Sequence, residues 1–318
     1  MTDIVSITPN PAVDLSTSVE RIIPVHKLRG TSQRRDPGGG GINVARVIKR
    51  LGGDVSAIYP VGGATGDLLR RLLDKENVPS QTFAIAEETR EDFFVNELST
   101  GRPFRFILPG PTLNDTEWQE CLTLLSRIEP FPRFVVASGS LPGGVPDDFY
   151  ARLTRIVKQR GARMILDTSG PALAAAVTEG LDLIKPNLRE MRELAGREPT
   201  DASEWEDAAK ALIQHGKVAI VALTMGHLGA VLVTLDQVLR AEPIPIAPVS
   251  AVGAGDSFLG ALLWQLASGA DLEKSFRYAV AAGAAALLNL GTSLCLSDDV
   301  KRLAQQVVLK ARWRGSVF

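Results

Sequence analysis

Short β-rich runs alternate with longer helical patterns along most of this chain, and that rhythm restricts the fold more than any other feature. The runs cover residues 3–8, 55–61, 133–138, 163–167, 181–185, 218–224 and 230–234. Helical stretches lie between them, near 42–51, 66–76, 115–127, 147–160 and 203–215. Alternation of this kind predicts an α/β fold, a mainly parallel sheet covered by helices on both faces. Long helices are expected from residue 254 onward. Two segments, 14–35 and 80–108, break the rhythm and alternate polar with apolar residues. That period belongs to strands with one covered and one wet face. They predict a small second sheet, a lid formed by insertions at about 12–36 and 80–109 within a single domain spanning 1–318. Such a flap is too small to fold alone and must lean on the core, a ligand or another subunit.

Composition excludes several classes. The 318 residues are 45% hydrophobic and 22% charged, which suffices for a large core, and the net charge of −1 offers no general footprint for nucleic acid or membrane. No apolar run approaches the ~20 residues of a membrane span. The two cysteines, Cys121 and Cys295, give neither a disulfide framework nor a metal-ligand spacing and fit a reducing, cytoplasmic setting. The opening stretch reads as a strand rather than a signal peptide. With only His26, His215 and His227 present, histidine-centred catalysis has little material. There is no Gly-x-x-x-x-Gly-Lys-Ser/Thr loop, and the first strand runs into Thr8-Pro9-Asn10-Pro11 where a dehydrogenase would carry Gly-x-Gly-x-x-Gly.

Chemistry concentrates in a few places. Gly253-Ala254-Gly255-Asp256 turns directly into an apolar helix. Small residues let backbone N–H groups approach a ligand, and the unpaired donors and dipole of a helix N-terminus make a hole for a phosphoryl group. Asp256, in the first turn, is placed to take a proton from an attacking hydroxyl; alone, it could equally be an acid favouring a helix dipole. Gly38-Gly39-Gly40-Gly41 precedes a second helix, with Asn43 in its first turn. This reads as a substrate cradle or as a hinge, and one segment can be both. Asp14, after the first strand, suits two sugar hydroxyls or a turn. Lys27, Arg29, Arg90 and Arg105 fall on or near the lid, where basic groups suit the phosphate of a sugar phosphate. Ser140 can donate to the same ligand or simply turn the chain. In Lys185-Pro186-Asn187-Leu188-Arg189-Glu190, Asn187 and Glu190 share a helical face. They suit hydrated Mg²⁺ on nucleotide phosphates, or an N-cap with a capping-box Glu. Thr224, Gly226 and Gly229 lie in a loop that either wraps a nucleotide or merely joins two strands.

Together and in this order, the Gly38–Arg46 segment, Lys185-Pro186-Asn187-x-x-Glu190 and Val252-Gly253-Ala254-Gly255-Asp256-Ser257 resemble the ribokinase-like PfkB family of carbohydrate kinases. The resemblance spans essentially the whole chain. It implies a Rossmann-type αβα sandwich with a β-sheet lid that often pairs two subunits. It implies ATP held near Lys185, Asn187, Thr224, Gly226 and Gly229, Mg²⁺ governed by Asn187 and Glu190, and Asp256 as base. Some members bind K⁺ through main-chain carbonyls, here at Ser250, Val252, Ala286, Asn289 and Gly291. Within the family the chain is most similar to the 6-phosphofructokinase branch, through Lys27-Leu28-Arg29, Arg105-Phe106 and 138–142. Relatives acting on fructose 1-phosphate or tagatose 6-phosphate usually place Lys third in the glycine cradle, where this chain has Gly40. The implied reaction is ATP-dependent phosphorylation of fructose 6-phosphate at the 1-hydroxyl. A non-catalytic nucleotide or sugar-phosphate sensor is the reading from another class. After Gly291-Thr292, where relatives carry a basic residue, this chain has Ser293.

Overall fold

The computed structural model describes residues 3–196, 199, 201–250, 252–289 and 291–313. In chain order the strands are β1 (Ile4–Ile7), β2 (Ala12–Val19), β3 (Arg34–Gly38), β4 (Val55–Val61), β5 (Ser80–Ala84), β6 (Arg90–Glu97), β7 (Arg102–Phe106), β8 (Phe134–Ser138), β9 (Arg163–Asp167), β10 (Leu181–Ile184), β11 (Val218–Thr224), β12 (Ala230–Val233), β13 (Gln237–Ala241) and β14 (Leu309–Trp313). The helices are α1 (Gly40–Arg50), α2 (Gly63–Lys75), α3 (Asp115–Ser126), α4 (Phe149–Gln159), α5 (Gly170–Val177), α6 (Leu188–Ala195), α7 (Ala202–Gln214), α8 (Ala254–Ala267), α9 (Leu272–Ala286) and α10 (Ser297–Ala304).

Ten strands form one sheet in the order β14-β13-β12-β11-β10-β9-β8-β1-β4-β5. Neighbours from β5 to β11 are parallel, and β12, β13 and β14 continue antiparallel to the edge. Successive residues of a strand face opposite sides, so Ile4 joins the core under α1, α2 and α8–α10, whereas Val5 and Ile7 join the core under α3–α7. The expected two-faced α/β sandwich is present. The order reverses at β1: the chain runs outward through β4 and β5, then returns to the other side of β1 with β8. In open α/β sheets a crevice forms outside the strand ends at such a reversal.

The glycine run enters that crevice. Gly39 has φ 106°, which favours glycine, and a Cβ on Gly41 would lie 2.4 Å from the Ile7 carbonyl oxygen. Helix α1 can therefore start directly against the end of β1. A second, four-stranded sheet, β3-β2-β6-β7, is the lid. Its outer strand β7 is exposed along its whole length.

Two expectations need correction. Residues 80–84, assigned above to the lid, form β5, paired parallel to β4 at the edge of the main sheet. An edge strand is half wet and shows the same alternation as a lid strand. The C-terminal part is not helical throughout either, because β14 pairs antiparallel with β13.

We predict that Gly41→Ala lowers stability by about 1–3 kcal/mol, the usual range for overpacking, through the contact with Ile7. Calorimetric melting of the folded variant measures it; an unchanged Tm would contradict the close approach.

Candidate active site

A cleft of about 360 Å³ opens between the sheet ends and the lid. It is lined by Asp14, Gly39, Gly40, Asn43, Arg90, Arg105, Ser140, Glu190, Val252, Gly253 and Asp256 among the residues singled out in the sequence. Asp92, Phe94, Asp167 and Thr292 line it as well. Asp167 had a legible signal, since it closes a predicted strand, and the carboxyl ends of parallel strands face the crevice.

Helix α8 begins in this cleft. Its N-cap, Gly253, is left-handed (φ 73°) and makes no side-chain cap, so the first-turn amides of Ala254, Gly255 and Asp256 have no partner within the helix. Asn43, in the first turn of α1, donates from Nδ2 to Asp256 Oδ2 at 2.9 Å. Burial, reinforced by Asp167, pushes the Asp256 carboxyl up to about 6, against the opposing pull of Asn43, Lys185 and Arg105. Lys185 is buried, with Nζ 3.2 Å from Asp167 Oδ1. A Cβ on Gly255 would lie 3.3 Å from that ammonium. Burial works against the Lys185 charge, but Asp167, Glu190 and Asp256 outweigh it and raise its pKa. A cation thus sits beside the uncapped helix end and stays charged.

The lid brings three acids into one row. Asp14 on β2 is in register with Asp36 on β3 and with Asp92 on β6, and all three are buried. Like charges placed directly opposite one another repel. Arg34 pairs with Asp36 at 2.8 Å, and Arg90 lies 3.6 Å from Asp92. The middle acid pairs with neither arginine. Burial first, and Asp92 second, push the Asp14 carboxyl from 3.8 to about 7, with Thr292 and Arg46 opposing. Arg90 donates to the carbonyls of Leu108 and Asn10, and Arg105 lies over the Phe94 ring at 5.0 Å. Ser140 Oγ accepts from Asn10 Nδ2 at 3.3 Å.

Other expected residues fall elsewhere. Gly38 is buried and does not line the cleft, and a Cβ there would lie 2.4 Å from Asp14 Oδ1. Lys27 and Arg29 are exposed on the connection between β2 and β3 and do not line this cleft. Asn187 and Glu190 form a capping box: Asn187 Oδ1 accepts from the Glu190 amide at 3.0 Å, and Glu190 Oε2 accepts from the Asn187 amide at 2.9 Å. Thr224 joins this corner through its amide to the Pro186 carbonyl. Gly226 opens a 3₁₀ turn, and Gly229 (φ 90°) closes it before β12. Of these residues, Glu190 lines the cleft, and Asn187, Thr224, Gly226 and Gly229 do not. Amides of Val249 and Ser250 donate to the Leu287 carbonyl, so the two segments expected to hold K⁺, around Ser250 and Val252 and around Ala286, Asn289 and Gly291, lie side by side. Ala251 is outside the described residues. No group of three or more His, Cys, Asp or Glu poised for a metal occurs among the described residues. No helix among them is long and apolar enough to cross a membrane.

This arrangement joins an anion hole to a carboxylate that burial makes more basic, and it can serve phosphoryl transfer to a hydroxyl. Residues 1–299 match the model of the pfkB family carbohydrate kinases, and the chain belongs to that family of sugar phosphotransferases. It is 45% identical over 299 residues to the ATP-dependent 6-phosphofructokinase isozyme 2 of Mycobacterium tuberculosis, covering 94% of this chain and 88% of that relative. It aligns with the crystal structure of phosphofructokinase-2 from Escherichia coli in complex with fructose-6-phosphate at a TM-score of 0.91, with 39% identity over 96% of this chain and 99% of that one. The structure of the same Escherichia coli enzyme in complex with potassium aligns at a TM-score of 0.92, with 40% identity over 96% and 99% of the two chains.

A folded-state pKa of about 7 at Asp14 means that the folded chain holds a proton which the unfolded chain, at 3.8, releases. Stability is therefore lost as pH rises from about 4 to about 7. We predict that Asp14→Asn melts above wild type at pH 8 and that the gap narrows toward pH 4. A gap independent of pH would contradict this burial.

Proposed function

We propose that the chain transfers the γ-phosphoryl group of ATP to the 1-hydroxyl of fructose 6-phosphate, giving fructose 1,6-bisphosphate and ADP. One observation carries the reading: Asp256 lies at an uncapped helix N-terminus inside a cleft that also presents Arg90 and Arg105 of the lid. The likeness to 6-phosphofructokinases supports this acceptor, and Gly40, lining the cleft where related sugar-phosphate kinases place Lys, agrees with it.

In this reading Asp14 and Asn43 grip sugar hydroxyls, Gly38 and Gly39 shape the cradle, and Ser140 adds a hydroxyl. Arg90 and Arg105 clamp the sugar's phosphate. Asp256 orients the acceptor hydroxyl and receives its proton; its raised pKa makes it a better base than an ordinary aspartate. The amides of Gly253, Ala254 and Gly255, with Lys185 beside them, stabilise charge on the phosphoryl oxygens as bonding to the leaving group loosens. Lys185, Asn187, Thr224, Gly226 and Gly229 border the nucleotide. The Glu190 carboxyl is held up by burial and by Asp167, so an incoming cation stabilises its charged form. Its carboxylate would meet Mg²⁺ through water, and the ion, once bound with ATP, neutralises phosphate charge. The Asn187 carbonyl oxygen already serves the helix cap. A K⁺ site on the carbonyls of Ser250, Val252, Ala286, Asn289 and Gly291 agrees with the adjacency of those segments and with the potassium complex of the Escherichia coli enzyme.

The lid exposes Ile23, Leu98, Phe104, Phe106, Ile107 and Leu108, an apolar face that suits lid-to-lid pairing of two subunits. Lys27 and Arg29 reach a substrate phosphate only across such a homodimer. Buried free thiols at Cys121 and Cys295 agree with a cytoplasmic setting.

Asp256→Asn should fold and bind both substrates while kcat falls by roughly 10²–10⁴-fold, the usual contribution of a general base. Near-wild-type turnover would sink the assignment. Because the base acts ionised, wild-type kcat should decline tenfold per pH unit below about 6. Arg90→Ala or Arg105→Ala should raise KM for the sugar phosphate about tenfold or more, as expected for losing a charge-assisted contact. If both leave KM unchanged, the phosphate clamp is wrong.

A further inference from the structure

Behind the cleft lies a fully buried arginine to which the proposed mechanism gives no role. Arg46 has no solvent exposure, one turn along α1 from Asn43. Its Nη1 donates to Asn43 Oδ1 at 3.1 Å, to the Pro37 carbonyl at 2.8 Å and to the Thr292 carbonyl at 3.2 Å. Its Nε donates to Glu76 Oε1 at 2.9 Å. Nη2 lies 2.7 Å from the same oxygen, close enough for an ion pair but out of line for a hydrogen bond, and 3.8 Å from Asp36 Oδ1.

A guanidinium is a donor only, whereas an amide has one donor end and one acceptor end. With Arg46 beside it, Asn43 must turn Oδ1 inward. That leaves Nδ2 facing Asp256 Oδ2 at 2.9 Å. A donor aimed at a carboxylate favours the ionised form, which is the form a base must have. Reversing the Asn43 amide would set two acceptors against each other at Asp256 and two donors against each other at Arg46. The same Nη1 also grips Pro37, at the end of the lid strand β3, and Thr292, a cleft residue that opposes the raised pKa of Asp14.

We propose that Arg46 is a positioning residue for phosphoryl transfer: it fixes the Asn43 amide with its donor toward Asp256 and ties that orientation to the seating of the lid at Pro37 and of the cleft loop at Thr292. The proposal rests on Asp256 being the base.

The test is the pH profile of kcat at saturating ATP and sugar phosphate, alone and in a double-mutant cycle with Asn43→Ala. Around Asp256 stand Asn43 from α1, Lys185 after β10, Asp167 at the end of β9 and Arg105 from β7; around Arg46 stand Glu76, Asp36 and Arg50. Arg46→Met removes the donor to Asn43 Oδ1 while Glu76 keeps Arg50 and Asp36 keeps Arg34 as partners. Should it not fold, Arg46→Met combined with Glu76→Gln removes the donor and its buried counter-charge together and is read in the same way. The expected result is an acid limb of kcat moved to higher pH by about one unit, the size expected for loss of one hydrogen bond to a charged group. In the Asn43→Ala background, the Arg46 change should add no further shift. An unmoved limb, even with a lower Tm and a higher KM, overturns the proposal in favour of a purely structural arginine, as does a shift that adds to that of Asn43→Ala. Failure of the base assignment looks different: Asp256→Asn itself would then retain turnover.

Discussion

Two helices begin at the same point in space, and the contact between their first turns, Asn43 Nδ2 to Asp256 Oδ2, joins residues 213 positions apart. That contact requires α1 and α8 to pack closely. Gly260 in α8 allows it, because a Cβ there would lie 2.8 Å from the Val47 side chain and 3.1 Å from the Val44 carbonyl. It also requires α1 to start hard against β1, which the absence of a side chain at Gly41 permits. Two glycines far apart in sequence therefore set the distance between the Asn43 amide and the Asp256 carboxylate. The site inherits its shape from backbone packing, and its side chains need little freedom of their own.

Electrostatics completes the arrangement. The crevice withdraws acids from water at Asp14, Asp92, Glu190 and Asp256, and in each case burial is the largest cause of an upward shift. Cations pair with one of these acids and with two of their neighbours: Arg90 with Asp92, Lys185 with Asp167, and Arg34 and Arg46 with Asp36. Burial raises the cost of the charged carboxyl at Asp14, Asp92, Glu190 and Asp256, and a hydrogen-bond donor or cation entering the cleft would lower that cost.

Much of this was legible in the residues. The strand–helix rhythm gave the parallel sheet because completely covered strands are apolar throughout. Gly253–Asp256 and the four-glycine run marked the cleft because backbone approach leaves a trace in composition. Other parts left a weaker trace or none. Residues 80–84 alternate like lid strands because an edge strand is also half wet. Helix α5 was overlooked because Gly170-Pro171 and a run of alanines show little amphipathic pattern. Asn187 and Glu190 satisfy both a metal reading and a capping box, and three-residue spacing cannot separate the two. Arg46 was visible as a letter in the glycine motif, but its burial depends on Glu76, Asp36 and Thr292 arriving from three other segments. No local pattern encodes that convergence.

The central claim is that this cleft phosphorylates a ketohexose phosphate and that the acceptor is fructose 6-phosphate. The most direct measurement is ADP release with Mg²⁺ and ATP against fructose 6-phosphate, fructose 1-phosphate, tagatose 6-phosphate and unphosphorylated fructose, with the position of the new phosphate read by ³¹P NMR. The account predicts the highest kcat/KM with fructose 6-phosphate and a new phosphate on the 1-hydroxyl. A preference for fructose 1-phosphate or tagatose 6-phosphate, or no ADP release with any of the four, would contradict it.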